Sequence, residues 1–167
     1  KRIAYGARAL TAGGLQSLPK LTFPGGVLVG DDAGFLNAAR IKGSHCAIKS
    51  GMLAAEACFD ALAGERQRDE LTAYPAAFKQ SWLYEELHQA RNFKPWMSKG
   101  LKYGSIMFGI DQLIFGGKAP WTLHNTTPDH AKLKLASECS QIAYPKPDGV
   151  LSFDRLSSVF LSSTNHE

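Results

Sequence analysis

The sequence predicts a mixed α+β chain in which a strand–loop–helix unit of the α/β nucleotide-binding kind is followed by a helical, strongly apolar segment. Three observations predict it. Gly26-Val27-Leu28-Val29 is an unbroken apolar or glycine run that stops at Gly30, the pattern of a strand covered on both faces. From Ser44 to Ala63 apolar residues recur at helical spacing and end at Gly64, which suits a helix closed by a C′ glycine. Between 93 and 123 aromatic and aliphatic residues crowd together with few charges.

Taken in order, Arg2–Leu10 reads as a short strand, and Thr11–Lys20 as a connector in which Gly13-Gly14 and Pro19 interrupt any helix. Leu21-Thr22-Phe23 starts a second extended piece, which Pro24-Gly25-Gly26 turns into the core strand. After Gly30, the residues Asp31, Asp32, Gly34 and Asn37 bring short polar side chains and a pliant backbone, the chemistry of a loop that approaches a ligand closely. Gly43 opens the long helix, with Ser44 as its expected N-cap. Ile48, Met52, Ala55, Phe59 and Leu62 form the expected core stripe, flanked by the small residues Ala47, Gly51, Ala54, Cys58 and Ala61. A second helix is expected from Pro75 to Asn92, carrying Phe78, Trp82, Leu83 and Leu87 on one side. Trp82 is read as a core residue in preference to a cofactor-stacking one.

In Phe93–Leu123 no uninterrupted apolar run is long enough to cross a bilayer. Lys99, Lys102 and Lys118, with Trp96 and Trp121 at the two ends, give it the look of an interfacial element; the alternative is a buried helix with ordinary surface lysines. Beyond Asn125 the sequence predicts a short helix capped by Thr126–Asp129, a rigid Tyr144–Gly149 element, a strand over Val150–Phe153 and a helix over Asp154–Ser162.

At 167 residues the chain has the length of one ordinary domain, and its net charge of +4 is dispersed, which gives no footprint for nucleic acid. It opens on Lys1 and ends at Asn165-His166-Glu167, so it reads as an internal piece of a longer polypeptide. The three cysteines Cys46, Cys58 and Cys139 show no metal-ligand spacing and are expected to be small buried thiols in a reducing compartment, with no metal assigned to them. There is no GxGxxG, P-loop, HExxH or GxSxG, and the histidines are scattered, so no catalytic residue is nominated.

Two features carry chemistry. Gly30-Asp31 at a strand end suits acceptance of hydrogen bonds from a polyol, though such pairs are also common in turns. The Gly43-Ser44 helix start offers free N–H groups to an oxyanion or carbonyl, and His45 in its first turn either caps and packs there or meets a ligand.

The stretches YGARAL (5–10), GGLQSLPKLTFPGG (13–26), GFLN (34–37), IKGSH-A-KSGMLAAEA (41–57), SW---EL---RN (81–92), PWTL (120–123) and YPKPDGVLSFD-LSSV-LS-TNHE (144–167) together resemble the electron-transfer-flavoprotein:ubiquinone oxidoreductase family along nearly the whole chain. The resemblance implies part of an FAD-binding Rossmann-like domain over 1–70, a helical segment with the membrane-facing part of a quinone domain over 71–125, and a connector over 126–167 leading to a 4Fe-4S domain beyond the chain. It implies electrons arriving from electron-transfer flavoprotein and leaving to ubiquinone, in a monomer peripheral to the mitochondrial inner membrane or its bacterial counterpart. Gly30, Asp31, Gly34 and Phe35 would lie near the ribityl chain, and Gly43, Ser44 and His45 near the flavin pyrimidine edge. The membrane-facing set would be Trp96, Met97, Leu101, Tyr103, Ile106, Met107, Phe108, Ile110, Leu113, Ile114 and Phe115. The cluster ligands would lie outside this chain. Family members often carry cysteine where Asp31 stands and Val-Pro at Ala38-Ala39, which loosens the Asp31 assignment. Two further readings are a membrane-surface module without a cofactor, and a half-domain of a flavin hydroxylase or prenyl-lipid reductase.

Overall fold

The computed structural model describes residues 9–143, 146–150 and 153–162. Leu10–Thr126 forms one compact unit, and the residues from Thr127 onward belong to a second. The strand expected at Arg2–Leu10 lies outside the described residues except for Ala9 and Leu10, which adopt no regular structure.

The first unit is helical around a very small sheet. Strands β1 (Thr22–Phe23) and β2 (Gly26–Val27) pair antiparallel, Thr22 opposite Val27 and Phe23 opposite Gly26. The corner is Pro24-Gly25, and Gly25 stands at φ +82°, as the third position of a type II turn requires. Leu28 N–H continues the ladder to the Leu21 carbonyl at 2.8 Å. The expected core strand therefore shrinks to a hairpin. Val29 is exposed, and among the described residues the segment has no second neighbour to pair with.

Helix α1 (Ser44–Ala63) has the predicted span, but its cap and its buried face both differ from expectation. Gly43 occupies the N-cap, Ser44 is the first helical residue, and no side chain caps the turn. The buried positions are Cys46, Ser50, Leu53, Ala54, Ala57 and Ala61. The stripe of Ile48, Met52, Ala55, Phe59 and Leu62 is exposed, with Ile48 at 65% and Phe59 at 71%. Small side chains let the backbone come close to its neighbours, so the small-residue line packs in place of the larger one.

The expected second helix is broken in two, α2 (Ala73–Lys79) and α3 (Trp82–Gln89), because Ser81 takes an extended backbone with ψ 157°. Phe78, Leu83 and Leu87 face the core as expected, whereas Trp82 is half exposed. The core gathers Leu21, Phe35, Leu53, Tyr74, Phe78, Leu83 and Leu87. Tyr74 reaches the Leu28 carbonyl through its hydroxyl, and burial pushes its phenol up to about 12.

Helices α4 (Phe93–Met97) and α5 (Leu101–Phe115) pack against each other across Gly100, at φ +103°. In the second unit the helix expected before Leu135 is replaced by the 3-10 turns Asp129–Lys132 and Ala136–Glu138. Helix α6 (Arg155–Ser162) is begun by Asp154, whose carboxylate accepts the Ser157 N–H at 3.1 Å and the Ser157 hydroxyl at 2.6 Å. These bonds hold the Asp154 carboxyl below its ordinary range. Residues 144, 145, 151 and 152 lie outside the described residues, so the Tyr144–Gly149 element and the strand expected over Val150–Phe153 are described only in part. Of the cysteines only Cys46 is buried; Cys58 is partly buried and Cys139 exposed, which corrects the expectation of three buried thiols.

Candidate functional site

The loop before α1 closes on itself. Asn37 and Lys42 exchange backbone hydrogen bonds at 3.0 and 3.3 Å, and Arg40 N–H returns to the Asn37 carbonyl at 3.2 Å. The tight closure drives Ile41 to φ +53° while leaving its side chain in solvent. A β-branched residue there is a true outlier, and such strain collects at functional sites. Gly43 follows, where a Cβ would stand 2.8 Å from Leu36 Cδ1 and would have to displace that buried side chain. The first turn of a twenty-residue helix is thus set at the surface with no side-chain cap.

His45 projects from this turn onto α3. Its Nε2 lies 3.0 and 3.1 Å from the two carboxylate oxygens of Glu86, and Asn37 Nδ2 donates to one of those oxygens at 2.8 Å. Arg40 stands 3.9 Å from the same oxygen. The imidazole is stacked on Trp82, with ring centroids 5.9 Å apart and planes 4° from parallel. Burial raises the Glu86 carboxyl, but the hydrogen bonds from Asn37 and His45 and the Arg40 charge outweigh it and hold the group below its ordinary value. Three of the resembling stretches, GFLN, KGSH and SW---EL, converge on this one cluster.

Cys46 Sγ lies 3.5 Å from His45 Nε2, so His45, Cys46 and Glu86 bring their ligand atoms within 4.8 Å. Metal chemistry asks for a thiolate. Burial, with the Glu86 charge behind it, pushes this thiol up to about 11, so without a metal Cys46 is held as the protonated thiol.

The remaining expected contacts divide. Asp31 is partly buried and Ser44 exposed, so both are open to a ligand. Gly30 stands at φ +69°, and its N–H donates to Ser50 Oγ at 2.9 Å. Gly34, at φ +89°, is enclosed by Thr11 and Leu18 side chains. Phe35 is fully buried, edge-on to Phe78 at 5.1 Å. Gly34 and Phe35 therefore fasten the loop to the core and offer no side-chain surface.

A second geometry, not evident in the sequence, is a clamp on the PWTL stretch. Arg91 is buried, and it donates through Nη1 to the carbonyls of His88 and Gly117, through Nη2 to those of Ala119 and Trp121, and through Nε to Thr122 Oγ1 at 2.8 Å. Among the described residues it has no carboxylate partner. Asn92 receives the Leu123 N–H at 2.9 Å and donates to Asp111 Oδ2 at 2.8 Å. Residues of RN thus hold residues of PWTL, tying the end of α5 back to α3.

On α5, the residues Tyr103, Ile106, Ile110, Leu113 and Ile114 fall at helical spacing on one exposed face, Leu113 being 89% accessible. Leu101 and Phe115 are also exposed, and Met97, Met107 and Phe108 are partly buried. Trp96 departs from the expected set: it is 6% accessible and packed edge-on against Tyr103. No helix among the described residues is long and apolar enough to cross a membrane.

No family model matches the chain. Along its entire length it is 62% identical to the electron transfer flavoprotein-ubiquinone oxidoreductase of Pseudomonas aeruginosa, 55% to the probable enzyme of that name from Acinetobacter baylyi and 53% to the mitochondrial one of Rattus norvegicus. The chain spans 31%, 32% and 28% of those relatives.

Proposed function

This chain corresponds over its whole length to a segment of the electron transfer flavoprotein-ubiquinone oxidoreductases, and we propose that it supplies the pyrimidine-edge half of the FAD site and the lipid-facing helix of such an enzyme. The observation that carries the reading is the uncapped first turn of α1, presented at the surface by a strained loop beside an oriented histidine.

FAD, when bound, supplies the redox chemistry of the whole protein. The chain's own residues bind and orient it. N–H groups of the first α1 turn, at the positive end of the helix dipole, favour negative charge at the ring edge. Asp31 accepts from ribityl hydroxyls. Gly30, Gly34 and Phe35 act one step back, by fixing the loop that carries Asp31. The exposed α5 face lies on the membrane surface, where its aliphatic residues enter the headgroup boundary. The 4Fe-4S ligands belong to the intact protein outside this chain, and the Rossmann-like remainder of the flavin domain is contributed there too. Electrons would come from electron-transfer flavoprotein and pass to ubiquinone, in a monomer peripheral to the membrane.

The test uses the full-length protein. Its flavin absorbance should bleach with reduced electron-transfer flavoprotein and return on addition of a ubiquinone analogue. An intact, folded protein without bound flavin contradicts the reading.

A further inference from the structure

We propose that Glu86 is the positioning residue for His45, taking its Nε2–H so that Nδ1 is the nitrogen presented to the flavin edge. The inference rests on the assignment of the α1 N-terminus to that edge and adds a role on α3, a different element.

The geometry assigns the tautomer. An ionised carboxylate only accepts hydrogen bonds, and both Glu86 oxygens face Nε2, so Nε2 carries the proton. Asn37 occupies the same carboxylate from the loop side at 2.8 Å, which leaves Glu86 little freedom to swing away. Stacking on Trp82 sets the plane of the ring. Nδ1 has no partner among the described residues. His45 caps nothing in its own helix, since the first turn has no side-chain cap bond. The charged and titratable groups around the ring are Glu86 from α3, Arg40 from the loop and the Cys46 thiol from α1. A carboxylate behind an imidazole fixes its orientation and tautomer and provides the counter-charge for a proton on the outer nitrogen. With Nε2–H held by Glu86, Nδ1 would meet a negative ring edge as the second N–H of an imidazolium, whose charge the carboxylate balances.

A purely structural role, an ion pair that joins α1 to α3, is the competing account. The sign of the effect on the flavin separates the two. A carboxylate near the flavin opposes negative charge there, so deleting Glu86 as a bare charge favours reduction. Deleting it as the residue that aims His45 disfavours reduction.

The experiment is a spectroscopic redox titration of the full-length flavoprotein, with flavin per chain measured alongside, for wild type, His45→Gln, Glu86→Ala, Glu86→Gln and the His45→Gln/Glu86→Ala pair. Each of His45→Gln and Glu86→Ala should shift the flavin reduction equilibrium toward the oxidised form by about tenfold. The pair should lie no further than either single change, because both act through one ring. Glu86→Gln keeps an acceptor oxygen and should recover part of the shift. A Glu86→Ala equilibrium equal to wild type or shifted toward reduction, with His45→Gln still shifted toward oxidation, overturns this proposal and leaves the flavin-edge assignment standing. An unchanged equilibrium in His45→Gln overturns that assignment and this proposal with it. Where Glu86→Ala does not fold, Glu86→Gln decides: a shift toward oxidation supports the role, and none or the reverse overturns it.

Discussion

A Cβ placed on Gly104 would stand 2.4 Å from the carbonyl oxygen of Trp96, closer than any real contact of that kind. The approach of α5 to α4 is therefore set by a missing side chain. Gly104→Ala should destabilise the intact protein by about 2 kcal/mol as the helices are pushed apart. Gly109 sits in the same helix with nothing within 4 Å of its virtual Cβ. Gly109→Ala should instead stabilise by about 0.5–1 kcal/mol. Chemical denaturation of the two variants side by side checks both signs.

Arg91 is a planar fork that satisfies four carbonyls and a hydroxyl at once. A lysine carries the charge but cannot span those acceptors. Arg91→Lys should cost about 3 kcal/mol and free the 117–123 segment. Faster amide hydrogen exchange at Leu123, whose N–H bonds Asn92, is the local signature.

Two acid-side losses of stability should be separable. His88 is held below its ordinary 6.5, by burial and then by the Arg91 charge. The unfolded chain binds the proton first, so this contribution is complete above about pH 6.5 and fades as pH falls toward the folded value. Glu86 also sits below its ordinary 4.5. Its contribution is complete above that value and is lost only on further acidification through the folded one. His88→Gln should remove the upper decline, and Glu86→Gln should lessen the lower one, to which the Asp154 carboxylate also contributes, read from denaturation midpoints across pH.

Membrane attachment should follow exposure and not apolarity as such. Replacing Ile106, Ile110 and Leu113 by serine removes three apolar side chains from one exposed α5 face, and should abolish flotation of the full-length protein with liposomes. Trp96→Ser should leave flotation unchanged while lowering stability, because that ring is buried between α4 and α5. Flotation retained by the triple variant would place the lipid contact elsewhere.

Much of the fold was legible where local rules decide it. Helix α1 shows its glycine boundaries and its period, and the Asp154 start of α6 is a local carboxylate-to-backbone bond. Two apolar lines run along α1, however, and periodicity cannot say which is buried. The smaller line won because Ala54, Ala57 and Ala61 permit close backbone approach. The break at Ser81 carries no glycine or proline, so nothing in the composition announces it. At the site, His45 was within reach as a first-turn residue, and Glu86 was not. It lies 41 positions away and looks like any glutamate on a solvated helix face. The Arg91 clamp is hidden for the same reason, since all but one of its acceptors lie 26 to 31 residues on and most are backbone carbonyls.

The central claim, that His45 and the start of α1 meet the pyrimidine edge of a flavin, is tested most directly by nuclear magnetic resonance on the full-length protein loaded with nitrogen-15-labelled FAD. In His45→Gln the resonances of flavin N1 and N3 should move, with N5 and N10 near their wild-type positions. Unchanged N1 and N3 resonances in a variant that still binds FAD would contradict it.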